Sequence, residues 1–107
     1  MKICGFFNEY RFLSNFYEVP VQYNGLLFRS SEAAFQAQKC LERAKEFVNL
    51  SPDEAKRMGR RIHIRKDWDE VKDAIMYEIV FAKFEQNPNL KKKLIETGNA
   101  FLAEENW

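Results

Sequence analysis

The stretch SSEAAFQAQK, residues 30–39, combines the start of a helix with two charged side chains on one line. Ser30 or Ser31 is a suitable N-cap, and the small and aromatic residues that follow favour a buried helix. Glu32 opens the segment and Lys39 closes it, roughly two full turns later at about 100° per residue. The two charges therefore share one face about 10 Å apart, which is too far for a direct ion pair. A buried helix with this pattern raises the question of what the two charges do.

The sequence before this helix predicts β structure. KICGFF, residues 2–7, has the composition of a strand. In VPVQYNGLLFRS, residues 19–30, the dipeptide Asn24-Gly25 lies between two apolar-rich arms, which is a strong signal for a β-hairpin.

The sequence after residue 39 predicts three more helices. SPDEAKRMG, residues 51–59, has Ser51 as N-cap, Pro52 at the first helical position, Glu54 three residues after the cap and Gly59 near the end. Asn87-Pro88 begins another helix, which we expect Gly98 to end.

The longest predicted helix is DWDEVKDAIMYEIVFAKFEQ, residues 67–86, with Asp67 as its N-cap and Glu70 three residues on. It carries two apolar stripes and is expected to pack on two sides. The stripes consist of Val71, Ile75, Ile79 and Ala82, and of Met76, Val80 and Phe84. The fold class predicted from all these segments is α+β: a mostly helical single domain with a small N-terminal β element.

Composition excludes several classes of protein. A hydrophobic content of 46% with 31% charged residues is typical of a globular domain and excludes wholesale disorder. A net charge of +1 gives no overall basic field that would argue for nucleic-acid binding.

The chain has neither a long apolar run nor a signal-peptide pattern. We therefore expect a cytoplasmic protein with no membrane contact, in which Cys4 and Cys40 are reduced thiols. A single histidine, His63, and two distant cysteines predict no metal site, and four glycines with no phosphate-binding loop predict no dinucleotide cofactor.

Glu32 is the first candidate for chemistry. A carboxylate in the first turn of a helix is favoured by the helix dipole by about 0.3–1 kcal/mol, and this alone explains most such residues. Lys39 has an equally simple explanation at a helix C-terminus. The shared face favours the functional interpretation, in which Gln36 lies between the two charges.

Two other segments carry candidate binding residues. YRFLSNFY, residues 10–17, sets Arg11, Ser14 and Asn15 among aromatic residues that include Phe16, a composition that suits a base, a ribose and a phosphate. The alternative is a loop held in place by its aromatic side chains.

RMGRRIHIRKDW, residues 57–68, contains five Arg and Lys residues, Arg60 among them, and ends at Trp68. It is either a solvated basic face or a phosphate site. Trp68 either packs at the start of the long helix or lines a pocket. His63, between two isoleucines, is interpreted as a structural or surface residue, not as a catalyst.

Taken in order, five segments resemble the NADAR family, which includes the YbiA-like N-glycosidases. The match extends over nearly the whole chain, and the order and spacing of the segments make chance an unsatisfactory explanation. The segments are FLSNF (12–16), SEAAFQAQK (31–39), AKRMGR (55–60), WDEVKDAIM (68–76) and AKFEQN (82–87).

The resemblance implies hydrolysis of an N-glycosidic bond, with Glu32 and Trp68 at positions that match catalytic ones in the family and Lys39 as a further site residue. The implied substrates are phosphorylated ribosyl intermediates of riboflavin synthesis or ADP-ribose attached to a guanine base of a nucleic acid. The competing interpretation is a module that binds ADP-ribose or a nucleotide without hydrolysing it. A weaker one is a purely structural domain.

This sequence departs from the family pattern at two places. Ala33 follows Glu32 where many relatives have histidine. Relatives also continue beyond the segment that ends here at Trp107, with a stretch that contributes an acidic residue. We therefore expect residues 1–107 to form one NADAR domain with an open pocket, weak binding and slow turnover. The chain is then a fragment, a short form in which Glu104 or Glu105 replaces that acid, or a form that binds without turnover.

The expected mechanism follows from the chemistry of the bond. Cleavage of a C–N glycosidic bond builds positive charge on the sugar, which a buried carboxylate such as Glu32 stabilises. Trp68 would stack on the base or ribose. Lys39 would either hold a phosphate or attack the sugar as an amine.

Overall fold

A computed structural model of the chain describes residues 2–4, 8–96 and 101–103, with side chains from residue 10 to residue 96. It has the predicted α+β, mostly helical architecture. The elements in chain order are strand β1 (Lys2–Cys4), a 3₁₀ helix (Asn8–Leu13), strands β2 (Glu18–Tyr23) and β3 (Leu26–Ser30), helix α1 (Ser31–Ala37), a second 3₁₀ helix (Leu41–Phe47), helices α2 (Pro52–Gly59), α3 (Trp68–Gln86) and α4 (Pro88–Glu96), and strand β4 (Phe101–Ala103). Strand β1 pairs in parallel with β4.

Two predictions lie outside the described residues: the remainder of the KICGFF strand, and Gly98 as the end of α4. No helix among the described residues is long and apolar enough to cross a bilayer.

The predicted hairpin is confirmed. Strands β2 and β3 are antiparallel and connected by Asn24 and Gly25, with φ angles of 49° and 80°. A two-residue type I′ turn requires positive φ at both positions, which asparagine and glycine tolerate best. The paired residues Val21 and Phe28 are buried in the main core, which α1 shares.

Helix α1 begins where predicted but ends earlier. Ser30 is the N-cap, and its hydroxyl accepts a hydrogen bond from the Ala33 backbone nitrogen at 3.1 Å. The helix ends at Ala37, so the prediction that Lys39 closes it is wrong. The backbone tightens into i→i+3 hydrogen bonds here, with the Lys39 nitrogen donating to the Gln36 carbonyl at 3.1 Å.

The caps of the next two helices differ from each other. The predicted capping box of α2 is confirmed: the Glu54 nitrogen donates to the Ser51 hydroxyl, and the Glu54 carboxylate accepts from the Ser51 nitrogen. Asp67 stands at the N-cap position of α3, but its side chain makes no capping hydrogen bond. The carboxylate of Asp67 instead pairs with the Arg65 guanidinium, at 2.6 and 2.9 Å.

Helix α3 packs on two sides, as predicted, but the two sides do not follow the predicted stripes, because Met76 and Ile79 come from different stripes and share one core. Met76 and Ile79 belong to the main core with α1 and the hairpin. Phe84 belongs to a second cluster with residues of the first 3₁₀ helix and of α4, namely Phe12, Leu13 and Leu90.

The C-terminal end of α3 holds the hairpin and the loop before it through backbone contacts. Lys83 Nζ donates to the Ser14 carbonyl at 2.9 Å. The Gln86 side chain accepts from the Gln22 nitrogen at 2.7 Å and donates to the Gln22 carbonyl at 2.9 Å, and Asn87 donates to the Pro20 carbonyl at 3.0 Å. The AKFEQN segment therefore fixes the loop at residues 14–17 against the rest of the molecule.

Candidate active site

A cavity of about 370 Å³ lies between α1, α2, the start of α3 and the loop at residues 14–17. Its wall combines four cationic side chains, one carboxylate and three aromatic rings. The lining residues are Ser14, Phe16, Glu32, Phe35, Gln36, Lys39, Lys56, Arg60, Trp68 and Lys72.

Glu32 lies at the second position of α1 and is 7% exposed. Its backbone nitrogen donates to the Asn15 carbonyl at 3.1 Å, and its carboxylate Oε2 accepts a hydrogen bond from Gln36 Nε2 at 2.6 Å. Burial raises the pKa of Glu32, and the Gln36 hydrogen bond and the charges of Lys56 and Lys39 oppose that rise. The result is a carboxylate that is less hydrated and more basic than a surface glutamate.

Lys39 follows the end of α1 and is half-buried. Its carbonyl accepts from the Arg65 nitrogen at 2.8 Å, which ties this turn to the loop before α3. Its Nζ lies 6.0 Å from the centroid of the Trp68 ring. Burial lowers the pKa of Lys39, which Glu32 opposes and Arg60 reinforces, so the neutral amine is more accessible than in a surface lysine.

The aromatic residues form flat walls beside these charges. The Phe35 and Trp68 rings contact each other with centroids 5.0 Å apart and planes inclined at 51°. On the other side, Lys56 Nζ lies 5.6 Å from the centroid of the Phe16 ring. Such walls suit the face of a planar base, and the adjoining cations suit an anionic group.

The structure brings most of the candidate site residues together. The predicted catalytic residues Glu32, Lys39 and Trp68 line the cavity, as do four of the predicted substrate-binding residues, Ser14, Phe16, Gln36 and Arg60. The helix ends before Lys39, but the turn that follows still directs its side chain to the same cavity as Glu32.

Arg11 and Asn15 are not among the described residues that line the cavity. Arg11 is exposed on the first 3₁₀ helix. Asn15 is buried, and its side chain accepts a hydrogen bond from the Ser31 hydroxyl at 2.9 Å and donates to Met76 Sδ at 3.6 Å. Asn15 therefore holds the start of α1 in this structure, and substrate contact by Arg11 or Asn15 stays a prediction.

Three lining residues were not predicted from the sequence, and helical spacing is the signal that finds them. Lys56 precedes Arg60 by four residues, Lys72 follows Trp68 by four, and Phe35 follows Glu32 by three. Residues three or four apart share a helix face, so each adjoins a residue that was singled out.

No group of three or more potential metal ligands occurs in the part of the chain that the structure describes.

Fold and cavity together define a class: an α+β domain with a carboxylate buried in a cationic, aromatic-walled cavity. The NADAR domain model matches residues 5–106, and the chain belongs to this family.

Known proteins of this family resemble the chain over most of its length. It is 39% identical over 102 residues to the N-glycosidase YbiA of Escherichia coli (strain K12), a match that covers 91% of this chain and 64% of the relative. It is 37% identical over 98 residues to a riboflavin biosynthesis protein of Vibrio vulnificus (strain YJ016), covering 87% of this chain and 27% of that protein. The NMR structure of the E. coli protein YbiA superposes with a TM-score of 0.83 at 36% identity, over 98% of this chain and 68% of that one. The chain thus spans less than two thirds of the length of the YbiA relative.

Proposed function

We propose that this protein is an N-glycosidase that hydrolyses the C–N bond between a phosphorylated ribose and a base. The observation that carries the proposal is the buried Glu32 carboxylate inside a cavity that is otherwise lined by cations and aromatic rings. The names of its relatives, an N-glycosidase and a riboflavin biosynthesis protein, support the same class of reaction.

The cations supply the binding energy for the phosphate. Lys56, Arg60 and Lys72 reach the cavity from α2 and α3. Ammonium and guanidinium groups make short, charge-assisted hydrogen bonds to phosphate oxygens. The Phe35–Trp68 wall takes the base, which leaves the anomeric carbon between the base and the phosphate, near Glu32.

Glu32 stabilises the charge that develops when the bond breaks. As the C–N bond lengthens, positive charge accumulates on the anomeric carbon and the ring oxygen. A carboxylate that is buried and already oriented by Gln36 stabilises that charge more strongly than solvent does. Glu32 acts in its ionised form, so we expect activity to fall as the pH drops through its raised pKa.

Lys39 is proposed as the amine that receives the sugar. Its lowered pKa increases the fraction of the neutral form, whose nitrogen lone pair attacks the anomeric carbon while the base leaves with the electrons of the C–N bond. The attacking nitrogen then loses a proton, and the departing base gains one. Ring opening converts the adduct to an imine between Lys39 and the sugar. Water then hydrolyses the imine and releases the sugar and the free amine.

The small cavity favours a small substrate. Its volume of about 370 Å³ is near the lower end of the range for ligand sites, about 300–1,000 Å³. We therefore propose a monophosphorylated ribosylamino-pyrimidine as the substrate. An ADP-ribosylated guanine base is the larger alternative.

The test is incubation of the protein with each of these two compounds, followed by chromatography for free base and free sugar phosphate. Release of base from the monophosphorylated compound supports the proposal. Release only from ADP-ribosylguanine would overturn the choice of substrate. Saturable binding with no release from either compound would overturn hydrolysis and identify a nucleotide-binding module.

A further inference from the structure

The contact between α1 and α2 leaves no space for a side chain at Gly59. This residue is the last of α2 and is buried. A Cβ atom at this position would overlap Gln36 Oε1 and lie 2.8 Å from Gln36 Cδ. Non-bonded carbon atoms prefer separations of about 3.5–4.0 Å, so any other residue would displace the Gln36 side chain.

The nitrogen of the same Gln36 amide binds Glu32. Gln36 is 6% exposed, and its Nε2 donates to Glu32 Oε2 at 2.6 Å. Gln36 Oε1, the atom directed at Gly59, is buried without a hydrogen-bond partner among the described residues. An unsatisfied buried acceptor is unfavourable, so the amide is held in this orientation by the carboxylate and by the close fit against Gly59.

We propose that Gly59 is a positioning residue, which acts through Gln36 to hold the Glu32 carboxylate in its reactive orientation and charge state. The consequence for catalysis depends on the function proposed above, but the positioning itself does not. The chain of contacts runs from the backbone of α2 to the amide of Gln36 and then to Glu32.

Other charged groups also face this carboxylate. Lys56 from α2 and Lys39 from the turn after α1 favour its ionised form, and Arg60 and Lys72 line the same cavity. We expect these cations to stay in place when Gln36 is displaced. A change in the titration of Glu32 would therefore report on the amide and leave the contribution of the cations constant.

The proposal predicts that replacing Gly59 lowers activity, although replacing a helical glycine by alanine usually stabilises the helix. Ala normally stabilises a helix relative to Gly, by about 0.5–1 kcal/mol. Here Gly59→Ala should push the amide off Glu32, raise the pKa of Glu32 and lower kcat/KM at neutral pH by about tenfold, the scale of one charge-assisted hydrogen bond.

The design is a double-mutant cycle. Gln36→Ala removes the amide and makes space for a Cβ at position 59. Gly59→Ala should therefore have little further effect in that background, whereas independent effects would add. Gln38→Ala is the matched control, because Gln38 is a buried glutamine of the same segment that contacts Ala34 and Asn24 and not Glu32.

The experiment is a carboxyl ¹³C NMR titration of Glu32, assigned by loss of its signal in Glu32→Gln, with kcat/KM measured on the same samples. We expect a raised pKa of Glu32 in Gln36→Ala and Gly59→Ala, no additional rise in the double variant, and no rise in Gln38→Ala.

An unchanged pKa of Glu32 in Gln36→Ala would overturn the inference even if Gly59→Ala does not fold. Additive shifts in the double variant would overturn the coupling to Gly59. A shifted pKa in a protein without glycosidase activity would overturn the proposed function and leave the positioning intact.

Discussion

At the scale of single residues, the site is held in an electrostatically unfavourable state. Glu32 would be better hydrated outside the fold, since burial raises its pKa despite the Gln36 hydrogen bond and the nearby lysines. Functional groups of this kind commonly reduce the stability of the native state. The charge of Glu32 should therefore lower the free energy of unfolding at neutral pH.

Removing this charge should stabilise the protein. A carboxyl whose pKa is higher in the folded state contributes stability below its unfolded pKa, and that contribution is lost as the pH rises through the folded pKa. Glu32→Gln should thus raise the urea midpoint at pH 7 and lose this advantage below about pH 4, where both states of the wild type are protonated. The control is Glu46→Gln, whose exposed pairing with Arg43 should make it neutral or slightly destabilising. A lower midpoint at pH 7 for Glu32→Gln would contradict the assigned burial cost.

Lys39 should form a covalent adduct during turnover. Borohydride added with substrate should reduce the imine and leave the mass of the sugar phosphate on the peptide that contains Lys39. Lys39→Arg retains the positive charge but should lose at least about a hundredfold in kcat, because arginine stays protonated. An active enzyme without an adduct, or an active Lys39→Arg variant, would show that Lys39 holds a phosphate instead.

At the scale of elements, local signals predicted helix starts and the turn better than helix ends. The capping box of Ser51 and Glu54 and the turn at Asn24-Gly25 are formed by residues close together in sequence. Both can therefore be predicted from the sequence alone. The end of α1 depends on tertiary contacts: Gln38 is buried and accepts from the Asn24 side chain of the hairpin turn at 2.8 Å. No local pattern encodes that contact, which is why the helix was predicted to reach Lys39.

The same limit applies to the candidate site. Glu32, Lys39 and Trp68 were singled out from pattern and resemblance, whereas Lys56 and Lys72 read as ordinary charged residues on amphipathic helices. Their position in the cavity depends on how α2 and α3 pack against α1. Asn15 shows the same dependence on tertiary contacts, because its place among aromatic residues suggested a ligand contact, and in the fold its side chain accepts a hydrogen bond from Ser31.

Substitutions of the two serine N-caps, Ser30 and Ser51, should have the same effect on stability but different effects on turnover. Ser30→Ala and Ser51→Ala should each lower the free energy of unfolding by about 0.5–2 kcal/mol. Only Ser30 caps the helix that carries Glu32 in its first turn, so Ser30→Ala should also lower kcat severalfold at a temperature where both variants are folded. Chemical denaturation and steady-state kinetics measure the two effects. Equal kcat values for the two variants would contradict a link between the α1 cap and the site.

At the scale of the whole molecule, charge is distributed unevenly. The chain carries 17 basic and 16 acidic residues, yet four cations and one carboxylate line the cavity. The four cations come from three separate segments, the turn after α1, helix α2 and helix α3. Net charge therefore gave no indication of this cluster of cations, which forms only when the fold brings these segments together.

We expect these clustered cations to make binding of a phosphorylated substrate sensitive to salt. Raising the ionic strength from about 0.01 M to 0.15 M shortens the screening length from about 30 Å to about 8 Å. KM for the phosphorylated substrate should therefore rise severalfold, while KM for the same compound without its phosphate should be higher and change little. The dephosphorylated compound is the control for any effect of salt on the protein itself. Equal salt dependence for both compounds would contradict phosphate binding by the cavity cations.

The most direct test of the account is the turnover of Glu32→Gln, measured as base released from the phosphorylated riboside under saturating conditions. This variant retains the shape of the side chain and an acceptor for the Gln36 amide, and it removes the charge proposed to stabilise the transition state. We predict a loss of at least about a hundredfold in kcat with a stable fold and retained substrate binding. Turnover equal to that of the wild-type protein would contradict the assignment of Glu32 as the catalytic carboxylate.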